Sequence, residues 1–168
     1  MKKLTIIAVV LAMGVSVGFA SSLKVPWFVD NAASAQFPST QAGRAHGVIT
    51  LASNRTDAVT CAITYYSAEG AELGPYSPVN TFEIDPLAAL AFRPVADDPG
   101  SVPGGMESEK ARLVPNRPRD VDTKKNGSCT VEWVGDPTDI QGQVSYMWAD
   151  GTNLQTMSYA HLLPPGPG

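Results

Sequence analysis

Ala58-Val59-Thr60-Cys61-Ala62-Ile63-Thr64-Tyr65-Tyr66-Ser67 is the stretch that decides the fold class. Val59, Cys61, Ile63 and Tyr65 fall on one side of an extended chain, and Thr60, Ala62, Thr64 and Tyr66 on the other. β-Branched and aromatic residues alternating at a period of two mark a half-buried strand. A helix would need apolar residues three and four apart on one face. Turn compositions close the stretch at both ends, Asn54-Arg55-Thr56-Asp57 before it and Ala68-Glu69-Gly70 after it.

Outward from this strand the same grammar recurs. Gly47-Val48-Ile49-Thr50-Leu51 is a β-rich run on the N-terminal side. Gly74-Pro75-Tyr76 is a further break. Val79 to Ile84 reads as a strand closed by Asp85-Pro86, and Leu87 to Arg93 as a strand closed by Pro94. Past Gly127, the residues Cys129, Val131 and Trp133 alternate with Thr130, Glu132 and Val134 until Gly135-Asp136-Pro137 ends the run. Ile140 to Trp148 and Met157 to Leu163 complete the set, separated by a turn at Asp150-Gly151. No segment sustains a helical period. Seven to eight short strands with turn signals between them predict an all-β domain over residues 44–163, an antiparallel β-sandwich or jelly roll.

Residues 94–127 interrupt this pattern with Pro94, Pro99, Pro103, Pro115 and Pro118. They read as a long irregular excursion holding at most a short strand at Ala111 to Val114. Lys110, Arg112, Arg117, Arg119, Lys124 and Lys125 concentrate basic charge there, offset by Glu107, Glu109, Asp120 and Asp122. The bases mark either a docking surface for an acidic partner or a solvated loop. On the other side of the domain, residues 21–43 read as an extended arm with one possible strand. Its apolar patch is Trp27-Phe28-Val29, so Trp27 and Phe28 join the six bases as candidate partner contacts. Such an arm can add a strand to the sheet edge of another subunit. Pro164-Pro165-Gly166-Pro167-Gly168 predicts a frayed tail.

Residues 1–20 have the layout of a secretory signal peptide: Lys2-Lys3, an uncharged run from Leu4 to Phe19, and Gly18-Phe19-Ala20 before a cut at Ser21. Its apolar run approaches the minimum for a membrane span, so an uncleaved anchor is the competing reading. After cleavage no other stretch could cross a membrane as a helix. The expected destination is the periplasm, the cell surface or the medium. The 12 basic residues less Lys2 and Lys3 leave 10 against 16 acidic, a mature net charge of −6. Such a chain has no electrostatic attraction to nucleic acid.

Cys61 and Cys129 lie on the apolar sides of their strands. In an oxidising compartment they are expected to form a disulfide, closing a loop of about 69 residues worth roughly 4 kcal/mol in chain entropy. Two buried free thiols are the alternative.

The order Ile63-Thr64-Tyr65-Tyr66-Ser67, Gly74-Pro75-Tyr76, Phe92-Arg93 and Asp98-Pro99 resembles the sensory-rhodopsin transducer family. The resemblance spans residues 49–99, about a third of the mature chain. It implies a small β-sandwich that assembles as a tetramer. That family is cytoplasmic and partners a photoreceptor, whereas this chain carries an export signal and the excursion at 94–127. The resemblance is therefore carried over to fold and assembly alone.

Catalytic motifs are absent from the sequence. His46 and His161 sit at predicted strand edges with no motif around them, and no G-x-S-x-G elbow, C-x-x-C pair or H-E-x-x-H run occurs. Asp97-Asp98, Asp120-x-Asp122, Asp136-x-x-Asp139 and Asp150-x-x-Asn153 offer oxygen ligands of the kind calcium takes, yet Asp before Pro or Gly is ordinary turn chemistry. No cofactor is implied. The expected function is a non-enzymatic structural or interaction sandwich, a homo-oligomer or a partner of another cell-surface protein. A carbohydrate or small-ligand module built on the aromatics is the alternative, and a hydrolase a more distant one.

Overall fold

The computed structural model describes residues 21–29, 44–94, 114–118, 126–149 and 156–163. Among the described residues nine strands run in chain order: β1 (Ser21–Val29), β2 (Arg44–Ser53), β3 (Val59–Ser67), β4 (Glu72–Gly74), β5 (Thr81–Ile84), β6 (Ala89–Phe92), β7 (Asn126–Trp133), β8 (Ile140–Ala149) and β9 (Thr156–Leu163). One sheet is ordered β1-β7-β3-β4, with β5 also pairing β3; the other is ordered β6-β2-β8-β9. Every pairing is antiparallel. The predicted β-sandwich is the fold.

Alternation along β3 does what its sequence requires. Val59, Cys61, Ile63 and Tyr65 are buried, while Thr60 is exposed and Thr64 and Tyr66 are half-buried. Ala62 is small enough to be covered on the outer side. Register then stacks the apolar residues of neighbouring strands into rows. Val25, Cys129 and Tyr65 form one row; Leu23, Val131 and Ile63 the next; Trp133, Cys61 and Phe82 the third. Phe92, Ile49 and Val144 form a matching row in the other sheet. Each fully buried large side chain contributes about 1.5–3 kcal/mol by leaving water, so these rows hold the two sheets together.

Several expectations are revised. The one strand expected in the arm is present as β1, but it pairs with β7 of its own chain rather than with another subunit, burying Leu23, Val25 and Phe28. A bulge between Val25 and Phe28 breaks its alternation. Lys24, Pro26 and that bulge also blunt β1 as an edge. Val79 and Leu87 lie in turns rather than at the starts of β5 and β6. Val114 is not in a strand; it is buried against the core, and Arg117 makes a single bridge.

The expected Cys61–Cys129 disulfide does not form; both thiols are free and buried. The reason is register. Cys61 stands opposite Trp133, and Cys129 stands opposite Tyr65, four residues further along β3. At about 3.4 Å per residue this separates the two positions by roughly 14 Å, whereas a disulfide needs Cα atoms within about 7 Å. The prediction had the right face and the wrong distance.

Candidate interaction surface

The two ends of the sandwich are built differently. At the end where β2 passes into β3, three loops meet: residues 54–58, 85–88 and 134–139. Arg55 is their hub. Its Nε donates to Asp57 Oδ1 at 2.9 Å, its Nη2 to Asp57 Oδ2 at 2.6 Å, and its Nη1 to Asp139 Oδ2 at 3.3 Å. The same Asp139 oxygen accepts the Asp136 amide at 2.9 Å. The Asn54 amide donates to Asp139 O and its side-chain nitrogen to Thr138 O. Gly135 adopts a φ of 149°, and a Cβ there would collide with the Asp139 carboxylate. Asp57 is held below the ordinary carboxylate range, chiefly by the hydrogen bonds from Arg55, and Arg55 is held more firmly protonated by the same pair. Asp136-x-x-Asp139 is thus turn chemistry. Among the described residues no group of three His, Cys, Asp or Glu converges as a metal site.

Leu87 sits on this scaffold. Asp85-Pro86-Leu87-Ala88 is a tight turn closed by the Ala88 amide on Asp85 O at 3.1 Å, with Pro86 in the position whose φ it pre-sets. Leu87 has a φ of 53°, where Gly or Asn is the usual occupant, and its amide donates to Arg55 O at 2.9 Å. Its side chain is nonetheless 68% exposed. A non-Gly residue in this region costs about 1–3 kcal/mol. An apolar side chain is therefore held in water at a position that disfavours it. Val134, next to Gly135, is a second exposed apolar residue at this end.

The opposite end is sealed from within. Phe28 packs edge-on against Tyr65 with ring centroids 6.1 Å apart. The Arg117 guanidinium lies 5.6 Å over the Phe28 ring. Tyr65 donates its hydroxyl to Pro115 O at 3.0 Å, pinning residues 114–118 to the core. Burial pushes the Cys129 thiol up to about 12, the Cys61 thiol likewise, and the Tyr65 phenol well above its ordinary range. Neither thiol ionises near neutral pH, so neither is an available nucleophile.

The predicted contact residues divide accordingly. Phe28 and Arg117 are core residues, Arg117 only 1% exposed, and are corrected from partner contacts to internal packing. Trp27 is 41% exposed beside the bulge, with its carbonyl accepting from the Tyr146 hydroxyl at 2.6 Å. Lys110, Arg112, Arg119, Lys124 and Lys125 lie outside the described residues, as do residues 1–20, where a signal peptide is expected, residues 30–43 and residues 164–168. Tyr76, 60% exposed, projects from the loop between β4 and β5, at the opposite edge of the sheet from Trp27. The two do not make one aromatic row. Tyr66 is half-buried under Lys24, whose Nζ lies 4.1 Å from the ring centroid. The backbone sets His46 opposite Met147 and His161 opposite Val144, with β8 between them and three register steps of offset. Sequence reading missed Leu87 because an apolar residue after Asp85-Pro86 resembles the start of a strand.

No protein-family model matches the chain, and no curated protein matches it. Among solved structures, the crystal structure of Thermotoga maritima 1070 is similar, with a TM-score of 0.51 over 90% of this chain and 98% of that chain. Identity is 14%, so the likeness shows the fold alone.

Proposed function

We propose that this chain is an exported, non-enzymatic β-sandwich whose role is protein contact, and that it associates with copies of itself through the Arg55 end. The observation that carries the reading is Leu87, an apolar side chain displayed in a disfavoured backbone conformation on a charge-stapled platform. Backbone strain retained on an exposed apolar residue is a signature of contact surfaces more than of folding needs. Val134, a second exposed apolar residue at the same end, supports the reading. Export is supported by Ser21, the first residue after the expected cut, being buried and paired opposite Trp133. Ser21 Oγ donates to Gly135 O at 2.6 Å, so a mature chain would start on a strand already tied into the fold.

The test is light scattering of the chain beginning at Ser21 over a wide concentration range, beside Leu87→Asp. The expected result is a defined oligomer for the parent and a shift toward monomer for the variant, with unchanged circular dichroism. A parent that stays monomeric at every concentration overturns self-association. The N-terminal residue of the exported protein checks export separately.

A further inference from the structure

Cys61 and Cys129 face the same core from adjacent strands, roughly 14 Å apart by register. Both are fully buried. The chain therefore carries a pair of thiols that an oxidising compartment would join, in a fold that cannot accommodate the joined form. Two rows of side chains, Ile63 with Val131 and Tyr65 with Val25, lie in the span between them or at its end. Bringing the sulfurs together would require β3 to slide four residues along β7. That slide would remove Tyr65 from Phe28 and from Pro115.

We infer that the sandwich is a redox-ordered fold: its sheets must close before the thiols meet an oxidant, because a Cys61–Cys129 disulfide locks the chain out of its native register. In the open chain, one cysteine thiolate attacks a disulfide oxidant such as oxidised glutathione and releases one glutathione thiolate. The second cysteine thiolate then attacks the protein sulfur of the mixed disulfide and releases the other. Two protein thiols are oxidised to one disulfide, one glutathione disulfide is reduced to two glutathiones, and the two thiol protons pass to the leaving thiolates. In the closed sandwich neither sulfur is accessible. Burial also keeps both thiols protonated, consistent with this protection. The relevance to maturation rests on the export reading; the chemistry does not, and it is tested on purified protein.

The experiment uses the chain beginning at Ser21. Native protein held with oxidised glutathione is expected to keep its reduced mass and its tryptophan fluorescence. Protein unfolded in urea, oxidised with glutathione and selected by mass as the intramolecular disulfide is expected to lose the native fluorescence on dilution from urea. Dithiothreitol should then restore it. The C61A/C129A variant is expected to refold with or without the oxidant; should the variant fold poorly, the recovery of the parent protein on reduction still decides the matter. Recovery of the native spectrum with the disulfide intact would overturn the inference, as would oxidation of the native protein without unfolding.

Discussion

The sandwich closes its two ends by different physics. At the Tyr65 end, Phe28, Tyr65, Arg117 and Cys129 are buried together, and residues 114–118 are drawn onto the core by a hydroxyl–carbonyl bond and a cation over an aromatic face. At the Arg55 end, the Arg55 guanidinium and the carboxylates of Asp57 and Asp139 join two loops in partly exposed positions, and the Leu87 amide ties the third to the Arg55 carbonyl. Burial makes the first end costly to disturb and indifferent to salt. Solvent makes the second end cheap to disturb and screened by salt. The Tyr65 end buries Phe28, Tyr65 and Arg117, whereas the polar end displays Leu87 and Val134 on a frame of fixed geometry.

Phe28→Ala should have the largest effect, removing the ring that touches both Tyr65 and Arg117. A loss of about 3–5 kcal/mol in urea unfolding is expected, unchanged by salt. A loss below 1 kcal/mol would erase the contrast between the two ends.

Gly127→Ala comes next. Its Cβ would collide with the Tyr66 carbonyl oxygen and approach Phe28 Cζ at 3.1 Å. Backbone cannot yield as a flexible side chain can, so a loss of about 1–3 kcal/mol is expected by the same measurement.

How much of this was legible in the residues depends on the range of the interaction. The inward face of β3 was legible because alternation is local: Val59, Cys61, Ile63 and Tyr65 announce it in sequence order. β1 was half-legible. Leu23 and Val25 alternate, but the bulge at Pro26-Trp27 shifts Phe28 inward and breaks the period. Arg117 was misread, because charge density along the chain suggests solvent, and only the tertiary approach of Phe28 gives a guanidinium a buried face. Cys61 and Cys129 were placed on the right face, but register belongs to the pairing of β3 with β7, and nothing within either strand states it. Leu87 required a backbone angle that composition does not encode.

Acid and base should separate the two ends further. The folded pKa of Asp57 is depressed by Arg55, so its contribution is present above the ordinary carboxylate pKa and is lost as pH falls through the folded value. Asp57→Asn should therefore flatten the acid side of a stability–pH curve slightly, and less so in high salt. The Cys129 thiol is raised, so its contribution is fully present below the ordinary thiol pKa and is lost as pH rises from there toward about 12. Cys129→Ala should flatten the alkaline side and leave the acid side alone. Both effects reading on the same limb would contradict the assignment of charge to one end and burial to the other.

The central claim is that the Arg55 end keeps an unfavourable residue for the sake of contact, and Leu87→Gly tests it most directly. Glycine relieves the strain at φ 53° while giving back some unfolded-chain entropy, so thermal unfolding should show a gain of about 1 kcal/mol. Sedimentation of the same sample should show weaker association than the parent. A more stable protein that assembles less well is the predicted result. A variant that is more stable and assembles as well as the parent would show that Leu87 is not a contact residue.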